Sequence, residues 1–150
     1  MPEASSLGVR AMTSADVPQS LALLSQLGYE MSRDEAARRV RAVLAAPDHS
    51  LLAVERDGRV VGLLHVFARP AIENPREAVV QALVVDESCR RRGVGRRLMM
   101  AAEQWGEERD CMSVVLSSNI ARAPAHAFYA ALGYRPTATA QLFRKPLSGR

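Results

Sequence analysis

The stretch ALVVDESCRRRGVGRRLM, Ala82–Met99, changes character twice: a β-branched apolar run, then five arginines and two glycines, then helical spacing. Extended backward, Ala78–Val85 reads AVVQALVV, nearly continuous and apolar, as a strand covered on both faces requires. Beyond the arginines, Val94, Leu98, Ala102 and Trp105 recur on one face of a helix expected from about Val94 to Arg109. Gly93-Val94-Gly95 thus falls where a buried strand hands over to a helix. Glycines there let backbone N–H groups approach an anion, and the helix start adds partial positive charge. The neighbouring arginines supply charge-assisted hydrogen bonds. Such a loop suits a pyrophosphate.

Outward from this unit the pattern continues as a mixed α/β chain. Gly8–Thr13 alternates as a strand. Val17, Leu21, Leu24 and Gly28 follow at helical spacing, with Ser14 as N-cap, Pro18 in the first turn and Gly28 as the stop. Ser32–Glu35 reads as a capping box, and Val40, Val43 and Leu44 share a face until Pro47. Ser50–Arg56 and Arg59–Ala68 are strands joined by Asp57-Gly58, a strong hairpin signal. Ser113–Ser118 is a further buried strand, Ala123–Gly133 a short helix, and the tail (YRPT, QLFRKPL) a last hairpin. The expected order is β-α-α-β-β-β-α-β-α-β-β in one domain, residues 1–150. Strand Ala78–Val85, its helix and strand Ser113–Ser118 form a right-handed parallel crossover. Antiparallel hairpins flank it, giving a mixed sheet with helices on both faces.

Composition narrows the function. The chain of 150 residues is 48% hydrophobic and 24% charged, ordinary for a globular domain. No secretory signal, and no apolar run near the roughly 18 residues of a membrane span, is visible. Cys89 and Cys111 read as free thiols in a reducing, cytoplasmic setting, and His49, His65 and His126 show no metal-ligand spacing. The net charge is +4, but without Arg90, Arg91, Arg92, Arg96 and Arg97 the remainder carries −1. A nucleic-acid binder spreads its basic charge along a face or groove; here the excess belongs to one loop. Neither nucleic acid nor membrane is expected as a partner.

The loop lacks the lysine and hydroxyl of a nucleotide P-loop, and Leu98 stands where a dinucleotide fingerprint needs its third glycine. It does satisfy [QR]-x-x-G-x-[GA] through Arg90-Arg91-Arg92-Gly93-Val94-Gly95. Downstream, LSSNIARAPAHAFYAALGY (Leu116–Tyr134) carries the ending A-H-x-F-Y-x-x-L-G-[FY]. With both motifs in this order and separation, the chain resembles the GCN5-related N-acetyltransferase (GNAT) superfamily over nearly its whole length.

That resemblance implies the fold, with strands 4 and 5 a parallel pair that splays apart, and acetyl-CoA as cosubstrate. It implies that the backbone of Leu83, Val84 and Val85 faces the acetyl-pantetheine arm and that Arg90, Arg91, Arg92, Gly93, Val94, Gly95 and Arg96 cradle the pyrophosphate. Asn119 would reach the pantetheine, and Tyr129 would protonate the leaving thiolate. The acceptor would be a primary amine of a small molecule or peptide, attacking the thioester directly, with an N–H of Val84 or Val85 on the thioester oxygen. A homodimer is left open.

One departure stands out. Many members of the superfamily carry glutamate where this chain has Gln81, and glutamine can orient a water but cannot act as a base. Glu73 and Glu77 are nearby alternatives, and His65 either lines the acceptor cleft or is structural. Tyr29, Glu30, Glu73 and Glu77 in the flanking loops favour a cationic amine. The rival to an N-acetyltransferase is a regulatory module that holds coenzyme A without turnover.

Overall fold

The computed structural model describes residues 8–118 and 123–148, which fall into two compact units, Met1–Ser117 and Ser118–Arg150. The first is built on a five-stranded sheet in the spatial order β1 (Val9–Ala11), β2 (His49–Arg56), β3 (Arg59–Arg69), β4 (Glu77–Val85), β5 (Ser113–Leu116). The first three pairings are antiparallel and β4–β5 is parallel. Asp57 and Gly58 close the β2–β3 hairpin with φ of 53° and 76°, the paired positive values that match a tight turn to the twist of its strands.

Two helices, α1 (Val17–Leu27) and α2 (Arg33–Ala45), connect β1 to β2, and α3 (Val94–Glu107) connects β4 to β5. A 3-10 turn, Ser14–Asp16, precedes α1, so Thr13 and not Ser14 is the first cap. Its hydroxyl accepts the Ala15 N–H at 3.3 Å, while the Asp16 carboxylate accepts the Thr13 N–H at 2.8 Å. The buried stripe of α1 is Val17, Ser20 and Leu23; Leu21 and Leu24 are only half-buried at its flanks. Ser20 can lie inward because its hydroxyl donates to the Val17 carbonyl at 2.7 Å. Gly28 ends α1 at φ 108°, as expected.

In α2 the Ser32 hydroxyl caps the Glu35 N–H at 3.1 Å. The Glu35 carboxylate turns to Arg39 (2.8 Å) and Arg38 instead of reaching back. Ala36 and Val40 face inward, whereas Leu44 is 43% exposed. One core cluster joins Met12, Val17, Leu23, Ala36, Val40, Ala53, Val60, Leu63 and Val84, sealing α1 and α2 on one sheet face. On the other face α3 buries Val94, Leu98, Met99, Ala102 and Trp105. Two glycines let α3 come down: a Cβ on Gly62 of β3 would lie 2.7 Å from Val94, and one on Gly106 would lie 2.9 Å from Ala78 of β4.

The second unit holds α4 (Ala123–Ala131). The mixed sheet, its parallel pair and the element order through α4 are as the sequence predicts. The last hairpin is not: the described tail beyond Gly133 carries neither helix nor strand, and Leu142, Phe143 and Leu147 are 84%, 87% and 69% exposed. Pro136 and Pro146 each remove a ladder donor, and a two-stranded ribbon without a buried face is marginal in water.

Candidate active site

The parallel ladder begins at Glu77↔Ser113 and ends at Val80↔Leu116, while β4 stays paired with β3 as far as Gly62↔Val85. From Gln81 onward one edge of β4 is therefore without a β5 partner. The separation coincides with a bulge. Val66 pairs with Val80 and the next β3 partner, His65, pairs with Ala82, which leaves Gln81 as an extra residue on β4. Ala78 accordingly packs against Gly106 of α3, whereas Val84, six residues on, packs into the α1/α2 core on the opposite face. In a regular strand that even spacing would keep both on one face.

The direction of the backbone groups follows. The Asp86 N–H donates to the Val61 carbonyl at 2.8 Å, so it points toward β3. Antiparallel alternation then turns Val84 and Ala82 toward β3, and Leu83 and Val85 toward the open edge. Leu83 and Val85 thus turn their N–H and C=O groups to an edge that has no ladder partner among the described residues.

The loop after β4 is anchored from α1. Gln26 donates from Nε2 to Asp86 Oδ1 at 2.8 Å, and its Oε1 accepts the Glu87 N–H at 3.0 Å. With the Ser88 hydroxyl, Gln26 holds the Asp86 carboxyl below the usual carboxylate range. A short 3-10 turn, Glu87–Cys89, buries the Cys89 thiol, which anchors the loop. Arg91 at φ 66° and Gly93 at φ 80° then reverse the chain into α3. Gly93 is the N-cap and no side chain caps the helix; the first intrahelical bond is Arg97 N–H to the Gly93 carbonyl at 3.0 Å. The N–H groups of Val94, Gly95 and Arg96 therefore open outward. A Cβ placed on Gly93 would meet nothing within 4 Å. Arg90, Arg91, Arg92 and Arg96 are exposed and have no ion-pair partner among the described residues. An uncapped helix start next to arginines without an ion-pair partner among the described residues has the groups an anion site needs.

In the second unit Tyr129 is fixed by the end of its helix. Gly133 at φ 95° lets its own N–H reach the Ala130 carbonyl and the Tyr134 N–H reach the Tyr129 carbonyl, both at 3.0 Å. The Tyr134 ring meets the Tyr129 ring edge-on at 6.1 Å. The Y-x-x-L-G-Y spacing is thus a Schellman motif with its accompanying side-chain contact. Burial pushes the Tyr129 hydroxyl above its ordinary pKa, so it stays a proton donor through neutral pH. Asn119 lies outside the described residues.

The alternatives raised by Gln81 separate. Gln81 and Glu73 are exposed. Glu77 is held by Arg69 at 2.8 Å. His65 is half-buried and sits 3.0 Å from His49, ring nitrogen to ring nitrogen. Of the flanking-loop residues, Tyr29 is 59% exposed, and Glu30 accepts a hydrogen bond from Ser25. The bonds of Gln26 to the loop and the His49–His65 contact carry no signal in the sequence and appear only with the fold. A separate groove of about 410 Å³ between α1 and the β2–β3 turn is bordered by Gln19, Leu23, Arg59 and Asp86. It contains none of the predicted site residues.

The sequence profile described as Acetyltransferase (GNAT) family matches residues 15–134. The chain belongs to that family, and is an enzyme of the acetyltransferase class. It is 30% identical over 118 residues to an aminoglycoside N(6')-acetyltransferase type 1 of Klebsiella aerogenes, covering 77% of this chain and 78% of that protein. It is 31% identical over 134 residues to an aminoalkylphosphonate N-acetyltransferase of Salmonella typhimurium, covering 85% and 84%. In fold it is similar to the solved aminoglycoside N-acetyltransferase AAC(6')-Iy in complex with CoA, with a TM-score of 0.83 at 20% identity over 93% of this chain and 94% of that one. Among the described residues no helix is long and apolar enough to cross a membrane.

Proposed function

We propose that this protein transfers acetyl from acetyl-CoA to a primary amine of a small molecule. The observation that carries the reading is the parting of β4 from β5 at Val80↔Leu116, on the strand that leads into the uncapped start of α3. When bound, acetyl-CoA supplies a thioester carbonyl to the amine. The open-edge groups of Leu83 and Val85 hydrogen-bond the pantetheine arm as a further strand would. On the same alternation, Val85 rather than Val84 offers an N–H toward the thioester oxygen, where negative charge develops. The N–H groups of Val94, Gly95 and Arg96, with the side chains of Arg90, Arg91, Arg92 and Arg96, hold the pyrophosphate. Tyr129 delivers its proton to the departing sulfur.

A small-molecule acceptor is favoured by the curated relatives, whose names specify aminoglycosides and aminoalkylphosphonates. A thiol-release assay across aminoglycosides, aminoalkylphosphonates, amino sugars, polyamines and peptides tests it directly. Turnover with at least one small amine is expected, and turnover with peptides alone would overturn the acceptor class. For the cosubstrate, Gly93→Val forces a β-branched residue to φ 80°, and calorimetry should show at least tenfold weaker acetyl-CoA binding. Unchanged affinity would remove the loop from the site.

A further inference from the structure

His49 and His65 form a joined pair on the sheet face that carries α1 and α2. Their rings lie 5.2 Å apart, with His49 Nδ1 3.0 Å from His65 Nε2. Phe67 stacks on His49 at 4.9 Å and completes the cluster. His65 lies two residues from the core residue Leu63 on the same face of β3, and its β2 partner Leu51 packs against the same core. Its partner on β4 is Ala82, between the bulged Gln81 and the open-edge residue Leu83. The pair therefore stands beside the point where β4 leaves β5, one strand over from Gln81, the β4 position where this chain lacks a carboxylate base.

We propose that His65 is the catalytic base of this enzyme and that His49 relays the proton away from it. The proposal rests on the acetyl-transfer reading above. With His65 Nε2–H donating to His49 Nδ1, His65 Nδ1 is bare. As the amine nitrogen bonds to the thioester carbon, one amine proton passes to His65 Nδ1, and the electron pair of that N–H bond stays on nitrogen as the amide lone pair. The Nε2 proton moves to His49 Nδ1, and His49 releases its own Nε2 proton to water. Before the next turnover His65 Nδ1 gives its proton to water, the shared proton returns to His65 Nε2, and water reprotonates His49 Nε2. The carbon–sulfur bond breaks with its electrons on sulfur, which is protonated separately by Tyr129.

The surroundings keep His65 neutral and ready to accept. Burial, and then the neighbouring His49, hold the His65 pKa below its ordinary value. Helix α1, packed on β3, carries no titratable side chain. Helix α2, packed on β2, turns Ala36 and Val40 inward and holds Glu35 between Arg38 and Arg39. Further along β3, Arg69 is paired with Glu77 of β4. Asp48, next to His49, is 3.4 Å from Arg76. Of these groups, none is a carboxylate left free to hold His65 protonated.

The test combines kinetics with a readout that needs no turnover. With an acceptor that the wild type acetylates, His65→Gln should lower kcat/KM about 100-fold at pH 7, abolish the acidic limb of the pH profile and leave acetyl-CoA affinity unchanged. Added imidazole should restore part of the rate in His65→Ala, which a merely structural role would not permit. His49→Gln, which keeps an acceptor for His65 but cannot pass a proton on, should lose about 3–10-fold. In ¹⁵N-histidine spectra of the wild type, His65 Nδ1 should be bare and its titration should fall below 6.5. Full activity with an unaltered pH profile in His65→Gln, or a protonated Nδ1 in the neutral pair, overturns the base assignment alone. A wild type that acetylates no amine, yet shows the bare Nδ1, overturns the acetyl-transfer reading and with it the source of the proton.

Discussion

Val94 packs so closely on Gly62 that a Cβ on the glycine would lie 2.7 Å from Val94 Cγ1 and 3.0 Å from Leu98 Cδ1. Neither neighbour can swing away, since both are within 1% of complete burial. The missing side chain on β3 thus sets how near the first turn of α3, and with it the proposed pyrophosphate loop, comes to the sheet.

Gly62→Ala should therefore destabilise the protein by about 1–3 kcal/mol through overpacking. Gly106→Ala meets Ala78 at 2.9 Å, but returns about 1 kcal/mol of helix propensity, so its net cost should be smaller. Urea unfolding of both variants checks the order. A stabilised Gly62→Ala would mean that α3 is not held where the structure puts it.

Asp16 should give the protein an acid-labile contribution. Its two oxygens each accept from Arg10 at 2.9 Å, and one also caps the Thr13 N–H. The Arg10 bonds, chiefly, depress its pKa below the ordinary carboxylate range despite burial. A depressed folded-state pKa stabilises fully above the unfolded value, about 3.9, and the contribution is lost as pH falls through the folded one. Asp16→Asn should cost about 1–3 kcal/mol at pH 7 and flatten the stability curve below about pH 4. Denaturation midpoints at pH 7 and pH 3 measure this; equal losses at both would disprove the linkage.

Gln26→Ala should weaken acetyl-CoA binding about 3–10-fold with little change in Tm. The residue is exposed, and its two bonds act on Asp86 and Glu87, each worth about 0.5–1.5 kcal/mol net. Isothermal titration reads the affinity; an unaltered Kd would show that the loop holds its shape without α1.

Tyr129→Phe should lower kcat about 10–100-fold while sparing acetyl-CoA affinity. Its hydroxyl is assigned to charge present on sulfur only in the transition state, and a thiolate already leaves well, which keeps the effect at the low end of general-acid contributions. The deficit should shrink as pH rises toward the thiol's own value near 8.5. Steady-state kinetics over pH 6.5–9 with a productive acceptor decide it, and full turnover in the variant would make the residue structural.

Ala78–Val85, the arginine–glycine loop and the spacing that ends Y-x-x-L-G-Y determined the element order, the parallel crossover and the family. These signals are local: apolar period, turn glycines and a helix stop act within a few residues, so they survive in one dimension. Only the tertiary structure decided which residues share a face. The extra residue Gln81 reverses β4, placing Ala78 against α3 and Val84 against α1 and α2, and no periodicity in AVVQALVV marks a bulge made by pairing. The inward stripe of α1 fell on Val17, Ser20 and Leu23 because packing, not hydropathy alone, chose it. His49 met His65, and Gln26 met Asp86, across 16 and 60 residues of chain. Such contacts arise from the register of strands and the docking of helices, which the order of residues encodes only through the folded whole.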